Sequence, residues 1–288
     1  MSAIHLKNGF INCEIDLQRG ARLRYLKHGT RDVIVPVGHL DDEAMNEEAR
    51  LGLVAMIACV HHTSLKELRW TGTGHPSMGN SDTDALIDWG VGWQSPWEIL
   101  EQSEDFVMLS LEHRAQKNWP WSFDASQTIQ LKKTELLMSL SLTNQSSVPS
   151  PAGLGWAFSL PVDLLKEQLI IKAAQVYKLS HSVPMASSPV PAQSSPAYPT
   201  LESVYPLEAF KEGLGFGLWN GELSLHGPSH QLHLHSKLKT SQIKLSQDER
   251  SLLVKVLDLP IEVLQHASAA PMLAPGESIS VQMSLMLS

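Results

Sequence analysis

Three histidines in the C-terminal third of the chain form the pattern H-x₂-H-x-H. They are His230, His233 and His235. Side chains alternate between the two faces of a β-strand, so His233 and His235 share a face. Two imidazoles on one face bind zinc only with a third or fourth ligand, and no cysteine or carboxylate at ligand spacing accompanies them. We therefore expect a solvated strand face, no metal site and no cofactor.

Two other groups of side chains could contact a ligand. The adjacent His61 and His62 can donate hydrogen bonds to hydroxyls or titrate near physiological pH, but strand neighbours point to opposite faces, so at most one reaches a common cleft. Trp89, Trp93 and Trp156 combine a flat apolar face with a polar N–H and could stack on the C–H face of a sugar ring. The alternative is ordinary core packing, which we favour for Trp93 because it falls in an alternating segment.

The elements that must position these residues are strands. Apolar and polar residues alternate through 123–131 and again through 136–142, and the last segment, 279–287, is apolar at every second residue. This period of two is typical of half-buried antiparallel strands. Further strands are expected at 10–17, 22–26, 33–35, 51–60, 93–100, 106–111, 169–177, 215–218, 223–225, 231–235 and 252–257.

Helices have little support in this sequence. The acidic segment 41–48 could open one, although a solvated loop is the simpler interpretation. Residues 178–206 carry six prolines among many serines, and proline lacks the backbone donor that a central strand needs. That segment is expected to be a long loop, which either caps a cleft or is disordered. The chain is therefore predicted to be all-β, a large antiparallel β-sandwich of two packed sheets in a single domain, 1–288.

Composition narrows the class of partner. The 288 residues are 43% hydrophobic and 18% charged, with a formal net charge of −8, which suits a soluble protein and argues against nucleic acid or an anionic membrane because no Lys/Arg cluster appears. The longest apolar run, 53–60, is too short to span a bilayer. The N-terminus has no apolar signal region, so a cytoplasmic location is expected. Cys13 and Cys59 are expected to be buried thiols.

Six segments, in order, resemble the galactose mutarotase-like family, which includes the aldose 1-epimerases. The likeness covers nearly the whole chain and identifies it as a divergent member. The segments are 8–23 (NGFINCEIDLQRGARL), 92–97 (GWQSPW), the hairpin 119–144, 153–156 (GLGW), 217–225 (GLWNGELSL) and 274–278 (APGES).

The resemblance implies a large β-sandwich whose concave face holds a small carbohydrate. In such a family a glutamate takes the proton from the anomeric hydroxyl and a histidine protonates the ring oxygen, while a second histidine and an arginine hold sugar oxygens. Each positioned acid or base contributes roughly 10²–10⁴-fold to the rate.

The matching positions in this chain hold other residue types. The family's catalytic histidine falls at Ala157, its second histidine at Trp89 and its glutamate near Gln265, beside His266. The Asn-Arg pair falls at His61-His62, and an acidic position falls at Glu208. Neither Ala157 nor Gln265 can transfer a proton near neutral pH, so the resemblance implies a sugar-binding framework without the usual catalytic residues.

Three hypotheses follow. The first is a protein that binds a carbohydrate without standard epimerase catalysis, through some of the candidate residues His61, His62, Trp89, Trp156, Glu208, Gln265 and His266. The second is a working aldose 1-epimerase with a rearranged acid–base set drawn from His61, His62, His266, Asp88 or Glu208. The third is a non-enzymatic scaffold whose concave face docks a protein or peptide.

Overall fold

Strands account for almost all regular structure in the part of the chain that the computed structural model describes, residues 3–37, 52–57, 90–116, 119–179, 202–228, 230–245, 250–258 and 272–288. A short 3-10 helix, Leu207–Phe210, precedes one of the longer strands. The strands are β1 Ala3–Lys7, β2 Ile11–Asp16, β3 Arg22–His28, β4 Arg31–Asp32, β5 Leu53–Ile57, β6 Glu98–Gln102, β7 Phe106–His113, β8 Phe123–Lys132, β9 Glu135–Asn144, β10 Ser150–Pro151, β11 Leu154–Pro161, β12 Gln168–Lys178, β13 Glu202–Pro206, β14 Leu214–His226, β15 Gln231–Ser236, β16 Thr240–Leu245, β17 Ser251–Leu257, β18 Met272–Leu273 and β19 Ser278–Leu287.

Antiparallel pairing joins seventeen of the described strands into one network, and β10 pairs with β18 alone. Two runs of neighbours make up the network. Sheet I is β1–β2–β3–β5–β11–β17–β16, and sheet II is β6–β7–β8–β9–β19–β15. Strand β11 contacts β9 and β19 without pairing with either, so the two sheets pack on each other. The predicted antiparallel β-sandwich is confirmed.

Strand β14 belongs to both sheets. Its residues 214–217 pair with β16 of sheet I, and its residues 222–226 pair with β15 of sheet II, while β12 follows it along both parts. The change of direction falls at Leu218, with φ of +47°, and at Gly221, with φ of +89°. A Cβ at Gly221 would lie 1.8 Å from the Ser236 carbonyl oxygen, so only glycine fits. The two strands predicted at 215–218 and 223–225 are therefore one bent strand.

The alternating hairpin is confirmed as β8 and β9, whose buried residues line the inner face of sheet II. Sheet I has a matching apolar row, in which each residue is paired with the next across a strand boundary. Its members are Ile15, Leu23, Leu53, Phe158, Val254 and Ile243. All six are fully buried, so this face of sheet I packs toward the core.

Three strand predictions need correction. Residues 33 and 34 are bends and Val35 has no regular structure, and the preceding Arg31–Asp32 pairs with β3 instead. Trp93 lies in a turn, in which the Ser95 N–H donates to the Gly92 carbonyl at 3.3 Å, so the strand predicted at 93–100 begins only at Glu98. Within the predicted 178–206 loop, Glu202–Pro206 forms β13, whose one partner among the described strands is β12; an edge strand tolerates the missing donor of Pro206.

Several predicted segments fall outside the described residues. These are 41–48, 58–60 and 180–201. No helix among the described residues is long and apolar enough to cross a membrane. Cys13 is a free, buried thiol, as expected, and Cys59 lies outside the described part. The single-domain organisation and the cytoplasmic location stay predictions.

Candidate functional site

Ala157 lies near the middle of β11, in the centre of sheet I. Across the two strand boundaries its partners are Val54 on β5 and Lys255 on β17. It is fully buried, and its methyl group can neither donate nor accept a proton. Because side chains alternate along β11, Ala157 points away from the core-facing Phe158, toward the outer face of sheet I.

A row of residues crosses the outer face of sheet I at the level of Ala157. Each residue of the row is paired with the next across a strand boundary. The one inferred pairing is Arg22 with Val54, which lie next to the paired Leu23 and Leu53. Neighbours in such a row are about 4.8 Å apart. We call this set the outer row, and its members are Asp16, Arg22, Val54, Ala157, Lys255 and Gln242.

One end of the outer row is a buried ion pair. Nη2 of Arg22 lies 3.8 Å from Oδ2 of Asp16, and the Arg22 side chain is only 9% exposed. Burial lowers the pKa of Arg22, and the nearby Asp16 carboxylate partly offsets that effect. Next to it, Nη1 of Arg24 donates to Oε1 of Glu14 at 2.6 Å. The carboxylates therefore hold the two guanidinium groups in place.

The other end of the outer row is polar and partly open. Gln242 is almost fully buried, whereas Lys255 is half-buried and places a cationic side chain opposite Ala157. Lysine supplies three N–H donors, and glutamine supplies both a donor and an acceptor. These two side chains suit hydrogen bonding to hydroxyl groups of a ligand. The outer row contains no histidine, so it has no carboxylate and imidazole pair of the kind that carries out the two proton transfers of an epimerase.

Close packing fixes the backbone around Ala157. A Cβ at Gly155, the preceding residue on the same face, would lie 2.1 Å from the Val256 carbonyl oxygen. On the other side, the carbonyl of Ser159 accepts a hydrogen bond from the Val35 N–H at 2.8 Å. Strand β11 is thus held tightly against its neighbour and against the segment after β4.

Of the seven candidate binding residues, two lie in the described part, in addition to Ala157. Trp156 is fully buried and is paired with Ala55 and Val256 on the face opposite to Ala157. Glu208 is exposed on the 3-10 helix, which contacts β16, the strand that carries Gln242. His61, His62, Trp89, Gln265 and His266, together with Asp88, lie outside the described residues.

The described chain resumes close to this site after the long gap. Gly90, which follows Trp89 in sequence, forms a parallel bridge with Ile57 at the end of β5. Ile57 in turn pairs with Leu154 at the start of β11. Two strands, β5 and β11, therefore separate the backbone at Gly90 from β17.

The sequence interpretation missed Arg22, Lys255 and Gln242. A signal existed for Lys255, because it is the single charged residue in the otherwise apolar strand SLLVKVL. Arg22 also carries a signal, since a charged residue follows Gly20-Ala21 at the start of a strand that is otherwise half-buried. What the sequence lacks is the register that brings residues 22, 157, 242 and 255 into one row.

The three histidines of the H-x₂-H-x-H pattern separate in the structure. His233 and His235 share the outer face of sheet II, as predicted. Nε2 of His230 instead lies 2.8 Å from Oε1 of the buried Glu167. Burial and the nearby Arg31 lower the pKa of His230, and Glu167 opposes that change. Among the described residues, no three His, Cys, Asp or Glu side chains group to hold a metal ion.

Comparisons with solved structures match the whole architecture. A galactose mutarotase-like protein from Clostridium acetobutylicum aligns over 99% of this chain and 95% of its own, with a TM-score of 0.78 and 15% identity. An aldose epimerase homologue from C. elegans aligns over 99% and 98%, with a TM-score of 0.78 and 12% identity. The chain has the galactose mutarotase-like fold. At these identities the likeness is one of fold, and the mutarotase-like fold agrees with the resemblance found in the sequence.

Sequence comparison adds one relative. The uncharacterized protein YphB of Escherichia coli K12 is 29% identical over 160 residues, which is 55% of this chain and 52% of YphB. The matched region thus spans about half the length of that relative. No protein-family model matches the chain.

Proposed function

We propose that this chain binds a small carbohydrate on the outer face of sheet I, around Ala157, without standard epimerase catalysis. The observation that carries the proposal is the position of Ala157. A methyl group occupies the middle of the outer row, at the position where the sequence resemblance puts the acid of an epimerase. An alanine there leaves the ring oxygen without its proton donor.

The neighbours of Ala157 supply the binding chemistry in this proposal. The ammonium group of Lys255 donates to sugar hydroxyls, and the Gln242 amide donates and accepts. Arg22 acts as a positioning residue, because its guanidinium is buried against Asp16 at 3.8 Å. The mutarotase-like fold supports a sugar as the ligand class, and the proposal requires no cofactor.

A ligand panel with a matched pair of variants tests binding. Thermal unfolding is measured with hexoses, pentoses, sugar acids and oligosaccharides, since a ligand that binds only the native state raises the Tm. We expect a saturable rise with at least one monosaccharide, lost in Lys255→Ala and kept in the exposed control Lys132→Ala. No rise with any sugar would favour the scaffold hypothesis, in which the face docks a protein.

The rate of anomer exchange tests the proposal that the chain does not catalyse epimerisation. The α and β forms of the bound sugar are followed by NMR after fresh dissolution of one anomer. We expect exchange at the buffer rate. Acceleration in proportion to protein concentration, abolished by Lys255→Ala, would contradict the non-catalytic part of the proposal and favour the second hypothesis, an aldose 1-epimerase with a rearranged acid–base set.

A further inference from the structure

A second candidate site lies on the outer face of sheet II. It is a groove of about 400 Å³ that crosses β8, β9, β19 and β15 and ends beside residues 236–237. That volume is within the range of small-molecule sites. Sheets I and II pack through their apolar faces, so this groove and the outer row lie on opposite outer surfaces of the sandwich.

Two cross-strand rows form the floor of the groove. The first runs from Thr128 through Ser139 to Gln282, and the Thr128 and Ser139 hydroxyls hydrogen-bond to each other. Neighbouring strands are about 4.8 Å apart. The floor therefore presents a hydroxyl or an amide at every strand along this row.

The second row lies one pleat away and combines polar residues with one leucine. It runs from Gln130 through Leu137 and Ser284 to His235. These four residues span three strand spacings, or about 14 Å. That length exceeds one hexose ring and accommodates two or three rings in line.

The side chains of the groove favour an uncharged ligand rich in hydroxyls. Hydroxyls and primary amides both donate and accept hydrogen bonds, as sugar hydroxyls do. The two charged side chains at the groove, Glu135 and Lys237, have opposite signs, so they give no net attraction for an anion or a cation. Phe106 and Leu137 add apolar surface for the C–H face of a ring.

We propose that this groove is a binding site for a neutral oligosaccharide, separate from the site around Ala157. The hydroxyl, amide and imidazole groups of the two rows contact successive sugar rings, and the Phe106 end packs against a ring face. The groove is lined by residues of five hydrogen-bonded strands of one sheet, β7, β8, β9, β19 and β15, so its floor is formed before the ligand arrives. The proposal stands whether or not the outer row of sheet I binds a monosaccharide.

Side-chain amide resonances give a direct test. Cellotriose, maltotriose and mannotriose are titrated separately into ¹⁵N-labelled protein, and the NH₂ signals of Gln130 and Gln282 are followed. We expect saturable shifts of both signals with at least one trisaccharide and weaker binding of glucose. Gln282→Ala should raise the Kd about tenfold, the loss expected when an amide making one or two hydrogen bonds is removed.

A matched control separates the groove from the rest of the sheet. Gln168 is an exposed glutamine on β12, outside the groove, and Gln168→Ala should leave the Kd unchanged. The proposal is overturned if none of the three trisaccharides shifts the Gln130 and Gln282 signals. It is also overturned if Gln282→Ala binds like Gln168→Ala, or if inorganic phosphate shifts the two signals at lower concentration than every trisaccharide.

Discussion

Ala157 lies directly opposite Lys255 across the β11–β17 pair, in the middle of the outer row. With Val54 opposite on the other side, the small side chain is enclosed on both strand boundaries. Ala157→Leu should therefore lower the free energy of unfolding by about 1–3 kcal/mol, the usual cost of overpacking a buried position. Ala174→Leu, at an exposed alanine of β12, should change it by less than about 0.5 kcal/mol. Urea unfolding measures both, and equal effects would contradict the enclosed position.

Gly155 tests how closely β11 packs against β17. The Cβ of an alanine there would lie 2.1 Å from the Val256 carbonyl oxygen, so backbone has to move. Gly155→Ala should cost about 3 kcal/mol of stability, at the upper end for overpacking. Gly9→Ala is the control, because no atom lies within 4 Å of a Cβ at that position. Thermal or urea unfolding of the two variants gives the comparison, and a stable Gly155→Ala protein would be inconsistent with this packing.

His113 predicts a loss of stability in acid. Its ring is buried and stacked on Phe123, and burial lowers its pKa below the ordinary value of about 6.5, although the hydrogen bond to the Trp119 carbonyl partly opposes this. The unfolded chain then binds more protons than the folded one between the two pKa values. Stability is therefore full above about pH 6.5 and falls as the pH drops toward the lower, folded-state pKa.

Two measurements check the His113 prediction. The ring proton of His113 should titrate by NMR with a midpoint below 6.5. His113→Gln should show a flatter stability profile than the wild type from pH 7 to pH 5, with a residual slope from His230, whose pKa is also lowered. A midpoint at or above 6.5 would contradict the prediction.

Cys13 should be chemically inert in the native protein. The thiol is fully buried, and burial raises its pKa to about 12, so almost no thiolate forms at neutral or mildly basic pH. Iodoacetamide at pH 8 should leave Cys13 unmodified in native protein and modify it in concentrated urea. Peptide mass spectrometry distinguishes the two, and rapid modification of the native protein at Cys13 would refute the buried position.

The sequence was most informative where alternation was strict. The β8–β9 hairpin and β19 were predicted because each has one apolar face on the core. It was less informative where one residue changes the course of a strand. Leu218 has a positive φ, a conformation that a leucine in a sequence gives no reason to expect. For this reason β14 was predicted as two strands.

The candidate site could be predicted only in part. Ala157 was found from its neighbouring motif, because the local sequence around it keeps the pattern of the family it resembles. Arg22 and Lys255 were missed, because more than 200 residues separate them and their proximity depends on the registers of β3, β5, β11 and β17. Cross-strand register follows from the packing of all these strands together, and one sequence does not specify it.

The bend of β14 has a consequence for how the protein comes apart. One continuous strand, β14, is hydrogen-bonded into both sheets. Neither sheet can therefore unfold without breaking hydrogen bonds that β14 makes in the other. Amide protons of the two sheets should therefore exchange with solvent through a common opening reaction, and heating should melt both in one cooperative step.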